Sequence, residues 1–296
     1  SFSDRRDETS DACAYVAPNS HWLESWNDIS PKTGVYNICQ PTISKLFDTR
    51  QAQQTLLLWA GKENANYYDF IRENWQKNVY SKQSKYSGFD GFWDVAVHDG
   101  EVLTSAAGLA SFSAGGVDAA ATAVASDYAN LGDIQIKLYD SIAVGNGFWA
   151  DNPFLQELPD PITKTCWDNV LTAPVSWCQK NGIKNDLELK DYSTVKVTAN
   201  GKSIELPVVA VPGQANGAFG IAVGYGRTVT NHEELKVGAN AYPLLALLGD
   251  NFSFTGKATI EKTGKTQKLA ITQTHHNITL KGLGGIKKRL IVKETT

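Results

Sequence analysis

Four short groups of residues in this chain carry side chains suited to chemistry. The first is the pair His275-His276. On a strand, adjacent side chains point to opposite faces, so the two imidazoles cannot chelate one metal without a bulge. Metal pairs use i,i+2 on strands or i,i+4 on helices, and His21, His98 and His232 have no such partners. The chain therefore offers no metal set. The plain reading is one imidazole in solvent and one hydrogen-bonded inside, against one that donates to a ligand or partner subunit. The second group is Asn240-Ala241-Tyr242-Pro243, whose amide and phenol could read the edge of a heterocycle. Against that, Tyr242 could plug a barrel end and Asn240 could cap a turn. The third is Trp167-Asp168-Asn169, equally readable as a helix cap beside a packed indole. The fourth is Gly224-Tyr225-Gly226-Arg227, where backbone could approach a phosphate and Arg227 could grip it in bidentate fashion. A turn with an exposed arginine explains it as well.

Other chemistry finds little support, and no residue is nominated as catalytic. Cys13, Cys39, Cys166 and Cys178 lack the close paired spacing of zinc or cluster ligands, and read as buried free thiols or at most one disulfide. Glu24, Asp28 and Asp99 lie near aromatics without the spacing of a working carboxylate pair. The eight tryptophans read as core and subunit contacts. The glycines of TSAAGLASFSAGGVDAAATAVASDYANL follow neither the dinucleotide fingerprint nor the P-loop pattern, so residues 104–133 read as a linker or insertion.

Positioning these groups is a matter of strands. Residues 1–40 are turn-rich. Asp48-Thr49 reads as the cap of a helix through Gln54, Leu57 and Ala60 that Gly61 ends. Tyr67, Ile71, Trp75 and Val79 make one apolar stripe, predicting a helix over Tyr67–Val79, and Phe92–His98 predicts a third, stopped at Gly100. From Ile134 the pattern is β. Thr194–Ala199 and Ser203–Val209 flank Asn200-Gly201, a strong hairpin signal, and Lys257–Lys262 and Gln267–Thr272 repeat it around Thr263-Gly264. Asp168–Gln179 reads as a crossing helix with Gly182 past its end. Several short strands around one helix predict a closed barrel over residues 134–296, after an α/β segment over residues 1–103.

The 296 residues are 42% hydrophobic and 20% charged, ordinary for a globular protein. A net charge of −3 gives no case for nucleic acid, and Lys287-Lys288-Arg289 is too short to make one. No apolar run is long enough for a bilayer, so direct membrane insertion is not expected. The chain contains no methionine, which suggests a portion cut from something larger.

Longer runs carry a resemblance. DACAYVAPNSHWLESWNDISPKTGVYNICQPTI and LFDTRQAQQTLLLWAG resemble the late central segment of the molybdopterin oxidoreductases. The stretch from NPFLQELPDPITKTCWDN to VVAVPGQANGAFGIAVGYGR resembles their dinucleotide-binding domain, a double-psi β-barrel. HWLESW, GANAYPLL and TQTHH are similar, more narrowly, to the large subunit of bacterial alternative complex III, a respiratory quinol:acceptor oxidoreductase. The resemblance implies a periplasmic location, peripheral to the inner membrane, with other domains of the same subunit and membrane or haem subunits as partners. It implies iron–sulfur clusters in a downstream domain. It also implies a branch that has lost the molybdenum cofactor, making this portion a cofactor-free scaffold. The alternative is a working grip on molybdopterin guanine dinucleotide by Trp167, Asn169, Arg227, Asn240, Tyr242, His275 and His276. One departure bears on that choice: where the family has a tight Gly-Asp turn, Asn181-Gly182-Ile183-Lys184-Asn185 is followed by an extra Asp186–Ser193, read as a longer charged loop beside the barrel.

Overall fold

The computed structural model describes residues 1–62, 66–105, 111, 115–129, 132–183, 185–186, 191–230, 232–248, 250–272, 277–278 and 289–290. They fall into two compact units, residues 1–114 and 115–296, so the boundary lies inside the Ala/Ser/Gly-rich stretch. Within that stretch Val117–Ala129 is helical.

The first unit is a small sheet with helices. Strands β1 (Asn27–Lys32), β2 (Val35–Cys39) and β3 (Glu101–Leu103) pair antiparallel in that order. Between β2 and β3 run helices α1 (Ala52–Trp59), α2 (Tyr67–Asn78) and α3 (Phe89–Asp99); Ile71 and Trp75 of α2, Val79 just after it, Phe92, Trp93 and Ala96 of α3 and Ile38 of β2 form the buried cluster. The stripe spaced by four on α2 is therefore its core face. Asn66 caps α2 by accepting from the Tyr68 N–H, and Gly100, at φ +71°, ends α3 in the left-handed conformation that costs glycine nothing. One cap differs from expectation. Gln51 holds the cap position of α1 without a side-chain bond, while the Thr49 hydroxyl pairs with Ser20.

The second unit is built on seven strand segments: β4 (Gln135–Asp140), β5 (Leu171–Pro174), β6 (Asp191–Ala199), β7 (Lys202–Val211), β8 (Ala218–Val223), β9 (Thr255–Lys257) and β10 (Thr259–Lys268). Their order is β9-β4-β8-β5-β7-β6-β10. β4 with β8 and β5 with β7 are parallel; the other neighbours are antiparallel. Only Ala258 separates β9 from β10, and its N–H donates to the Ile134 carbonyl. One run of chain, Thr255–Lys268, thus pairs at both margins of the sheet and closes it on itself, which removes the exposed edges. Ile136, Leu138, Leu171, Val195, Val197, Leu206, Val208, Phe219, Ile221 and Val223 form its main buried cluster.

Two predictions fail here, each for a local reason. The expected helix Asp168–Gln179 is a strand followed by a short helix, α4 (Val175–Lys180). Proline cannot sit inside a helix without losing a bond and clashing, and Pro174 sits at the junction where the helix starts. Leu171–Pro174 is buried on both faces, so no period-two alternation marks it as a strand. Thr263-Gly264 is not a hairpin turn. It lies within β10, where the register against β6 slips between Lys262 and Thr266, making a bulge that Gly264 allows at φ +77°. The Thr194 hydroxyl bonds Thr263 there. The bulge coincides with a change of face on β6: Tyr192 packs with Val170, Val209, Leu269 and Ile271, whereas Val195 and Val197 face the main cluster. The extra segment is also less of a loop than expected. Asn185–Asp186 pairs with Asp191–Tyr192, and Asp191–Ser193 already belongs to β6. None of the four cysteines is in a disulfide; Cys166 and Cys178 are buried, Cys13 is exposed and Cys39 half-buried.

Candidate functional site

Asp140 and Val223, the last residues of the parallel strands β4 and β8, are in register, and β5 begins beside them with Leu171 against Ile221. The connections around residues 141–151, 224–242 and 166–170 therefore gather at one end of the closed sheet. Trp167, Asn169, Arg227, Asn240 and Tyr242 all lie in these connections. His275 and His276 lie outside the described residues.

The turn before β5 is unusual. Trp167 has φ +68°, a conformation that bulky residues rarely adopt, and the Asp168 N–H donates to the Cys166 carbonyl at 2.8 Å across it. The Trp167 N–H is held by the Gln156 carbonyl at 2.9 Å. This tight reversal aims the next two side chains at residues 238–239. Asp168 accepts from the Gly238 N–H at 3.2 Å. Burial pushes its carboxyl above the ordinary carboxylate range, while the Gly238 N–H and the Gln267 side chain pull the other way. Asn169 is only 2% exposed. Its Nδ2 donates to the Ala222 and Ala239 carbonyls, 2.8 Å each, and its Oδ1 accepts from the Ala239 N–H at 2.8 Å. One amide thus ties the end of β8 to the 238–239 segment.

Arg227 and Tyr242 make the same kind of bond across longer sequence distances. Arg227 Nη1 donates to the Gly147 carbonyl at 3.0 Å, and the Tyr242 hydroxyl donates to the Asn146 carbonyl at 2.7 Å. Burial, with Asp140 nearby, raises the Tyr242 phenol above its ordinary range, so it stays protonated and a donor. Asn240 is exposed, and its Oδ1 accepts from the Tyr242 N–H at 3.0 Å, a turn of the side chain onto its own backbone.

The glycines fit this arrangement. A Cβ on Gly226 (φ +71°) would lie 2.2 Å from the Asn240 nitrogen; on Gly224 (φ +91°), 2.6 Å from the Gly147 nitrogen; and on Gly147 (φ +101°), 2.9 Å from the Gly224 Cα. Backbone of another connection fills the space a side chain would take. A phosphate cradle needs that space open on the ligand side and N–H groups pointing into it. The Asn169 amide, one guanidinium nitrogen of Arg227 and the Tyr242 hydroxyl are turned to carbonyls of this chain. As arranged, these groups clasp the connections to one another. The buried polar atoms left without a partner among the described residues, Asp151 Oδ1, Gln156 Oε1 and Thr165 Oγ1, include none of the nominated residues. The described residues hold no cluster of three or more His, Cys, Asp or Glu suited to a metal.

Reasoning from sequence missed the partners, Asn146, Gly147, Ala222, Gly238 and Ala239, because they contribute backbone. The signal present was the recurrence of glycine-flanked turns, Val144-Gly145-Asn146-Gly147 and Val237-Gly238-Ala239-Asn240 beside Gly224-Tyr225-Gly226.

Neither a family model nor a curated protein matches the chain. A solved structure does. The chain shares a fold with acetylene hydratase from Pelobacter acetylenicus. The match covers 84% of this chain and 38% of that one, with a TM-score of 0.51 and 14% identity. This chain thus spans well under half the length of its structural neighbour. The likeness is one of fold alone, that of a mixed α/β protein with a large mixed sheet.

Proposed function

We propose that this chain is part of a molybdopterin-oxidoreductase-like subunit in which the barrel serves as a scaffold and does not grip the cofactor. The observation that carries this reading is Asn169, whose donors and acceptor are all spent on Ala222 and Ala239. Arg227 and Tyr242, bonded to the carbonyls of Gly147 and Asn146, support it in the same way. The barrel is of the double-psi type in this reading; parallel pairing of β4 with β8 and β5 with β7 inside the closed sheet supports that. The whole subunit is a large subunit of the alternative complex III kind, a quinol:acceptor oxidoreductase on the periplasmic side of the inner membrane. Support for that assignment is the run HWLESW, GANAYPLL and TQTHH. Redox groups, iron–sulfur clusters among them, belong to other domains and subunits, and this portion keeps their spacing and docking surfaces. Inherited packing is enough to retain a fold after a ligand is lost, since the core and backbone bonds are the ligand-independent part of stability.

The second reading is a barrel that still binds molybdopterin guanine dinucleotide. Its support is the convergence of five nominated residues at one barrel end. Metal and pterin analysis of the purified natural subunit separates the two. The scaffold reading expects neither molybdenum nor tungsten above background and no pterin fluorescence after oxidation. Either metal at close to one per chain overturns it.

A further inference from the structure

A cleft of about 400 Å³ opens in the second unit beside the last residues of β4. Tyr139, Ile142, Pro161, Ile162 and Val211 line it, together with the acids Asp140 and Asp160. Its aliphatic surface is free: Ile142 is 73% exposed and Ile162 63%. Both are held by short turns. The Ser141 hydroxyl accepts from the Val144 N–H at 3.0 Å, and Asp160 Oδ1 accepts from the Ile162 and Thr163 N–H groups at 3.0 and 2.7 Å. Neutral polar groups of the lining are spent within the chain. Gln214 Nε2 donates to the Thr172 and Ala218 carbonyls, the Thr172 hydroxyl accepts from the Gly220 N–H, and the Thr163 hydroxyl donates to Asp160. What the cleft offers is therefore aliphatic surface and negative charge. Residues 140–162 contain Asp140, Asp151, Glu157 and Asp160 and no lysine, arginine or histidine. They also expose Phe148, Trp149, Phe154 and Leu158. The nearest bases in sequence, Lys137 and Lys164, do not line the cleft, and Arg227, which reaches this stretch, gives Nη1 to the Gly147 carbonyl.

We propose that this cleft docks another polypeptide through an aliphatic side chain flanked by lysine or arginine. Large apolar side chains exposed singly are ordinary, but six within residues 140–162, two of them lining one cleft, mark a contact surface. The aliphatic residue fills the space beside Ile142, Ile162 and Val211, and its basic neighbours meet Asp140 and Asp160, whose charge sets partner choice and rate of approach. The same charge disfavours the other occupants. An anionic lipid surface is repelled, and a second copy docked through this face brings the acids against themselves. Because the turns already fix Ile142 and Ile162, docking costs little ordering on this side. None of the cleft residues belongs to the clasp, so such docking does not depend on whether the barrel holds a cofactor.

The test uses the whole chain, labelled in its isoleucine and valine methyl groups, and follows Ile142, Ile162 and Val211 by two-dimensional NMR. Three peptides are titrated: acetyl-Lys-Leu-Lys-Leu-Lys-amide, acetyl-Lys-Ser-Lys-Ser-Lys-amide and acetyl-Glu-Leu-Glu-Leu-Glu-amide. The first should give saturable shifts of all three residues, and the serine and glutamate peptides should bind about tenfold more weakly or worse. Binding of the first should also weaken as salt is raised. In Ile142→Ser/Ile162→Ser, read at Val211, the first peptide should bind about tenfold more weakly. That variant changes exposed side chains and should keep the wild-type spectrum elsewhere; if it fails to fold, the three peptides on wild type decide alone. Equal binding of the glutamate or serine peptide, shifts that spare the cleft, or no saturable shift at all overturns the proposal. So do cleft shifts on adding phosphatidylglycerol vesicles, which would mean a lipid surface, or on concentrating the chain alone, which would mean a second copy.

Discussion

Replacing Asn169 with alanine tests the clasp directly. The substitution removes three hydrogen bonds of 2.8 Å at a residue only 2% exposed. At about 1 kcal/mol net for each bond, the loss is about 3 kcal/mol. If water cannot reach the orphaned Ala239 N–H and the two carbonyls, each costs roughly 1–3 kcal/mol, and the total rises toward 5 kcal/mol. That is a large share of the roughly 5–15 kcal/mol that holds a domain together. Urea unfolding of wild type and Asn169→Ala, without any ligand, measures it; with a slope of 1–3 kcal/mol per molar, the midpoint falls by about 1 M or more. Because the chain has two compact units, the transition should be read from hydrogen exchange of β5 and β8 amides, which report the second unit alone. A residue held ready for a ligand behaves in the opposite sense, since functional groups commonly cost stability in the unliganded protein. A change of less than 1 kcal/mol, or a gain, would refute the clasp. Asn169→Asp sharpens the test: ionised, it meets the Ala222 and Ala239 carbonyls with repulsion, whereas protonated it donates to one of them. Its folded-state pKa should therefore rise, and its deficit against wild type should shrink as pH falls toward 4.

Three further outcomes follow from the same end of the barrel. Gly226→Ala puts a methyl 2.2 Å from the Asn240 nitrogen at φ +71°, so it should lower the thermal midpoint well beyond the roughly 1 kcal/mol of an exposed left-handed glycine such as Gly201. Asp168 has its folded pKa raised above the unfolded value, near 3.9, so the native state favours the protonated form and loses stability as pH rises from that value through the folded one. Asp168→Asn should flatten that slope in urea midpoints between pH 3 and 7 while leaving the midpoint at pH 7 unchanged or higher. Tyr139, pushed up to about 12 by burial, then by Asp160 and Tyr225, contributes stability that is whole below pH 10 and lost as pH rises through about 12; Tyr139→Phe should unfold less steeply over that window.

How much of this was legible depended on whether the determining contact was local. Asn200-Gly201 turns as its residue types require, with φ +51° and +72°, and it sets the register of β6 against β7 from Thr194–Pro207 to Ala199–Lys202. Gly61 and Gly100 end their helices as written. Leu171–Pro174 was not legible, since a short run buried on both faces carries the same apolar content as a helix segment. Thr263-Gly264 has the composition of a turn, yet the pairing of β10 with β6 outweighs it, because the strand continues on both sides and the glycine is absorbed as a bulge. At the site, residue types marked the right connections, but the bonds join positions 53 to 96 residues apart and end on backbone atoms, which no side-chain pattern announces.

Glycine-rich turns at the end of parallel strands invite a phosphate-binding reading, and the space beside each glycine separates that from its opposite. A glycine kept so that a ligand can approach faces open space when the ligand is away. A glycine kept so that two pieces of chain can touch faces backbone. Gly145 and Gly213, both with positive φ, have nothing within 4 Å of where a Cβ would stand and serve their own turns. Gly147, Gly224, Gly226 and Gly238 instead have atoms of another connection within 3 Å, and Asn169 Oδ1 is the one nearest to Gly238. The same amide that ties Ala222 to Ala239 thus also occupies the space that the absent side chain leaves. The glycines, the left-handed Trp167 and the buried amide form one packing solution, so a substitution at any of them should loosen the others. Double-mutant cycles between Gly238→Ala and Asn169→Ala should show the coupling, with a combined loss smaller than the two single losses added together.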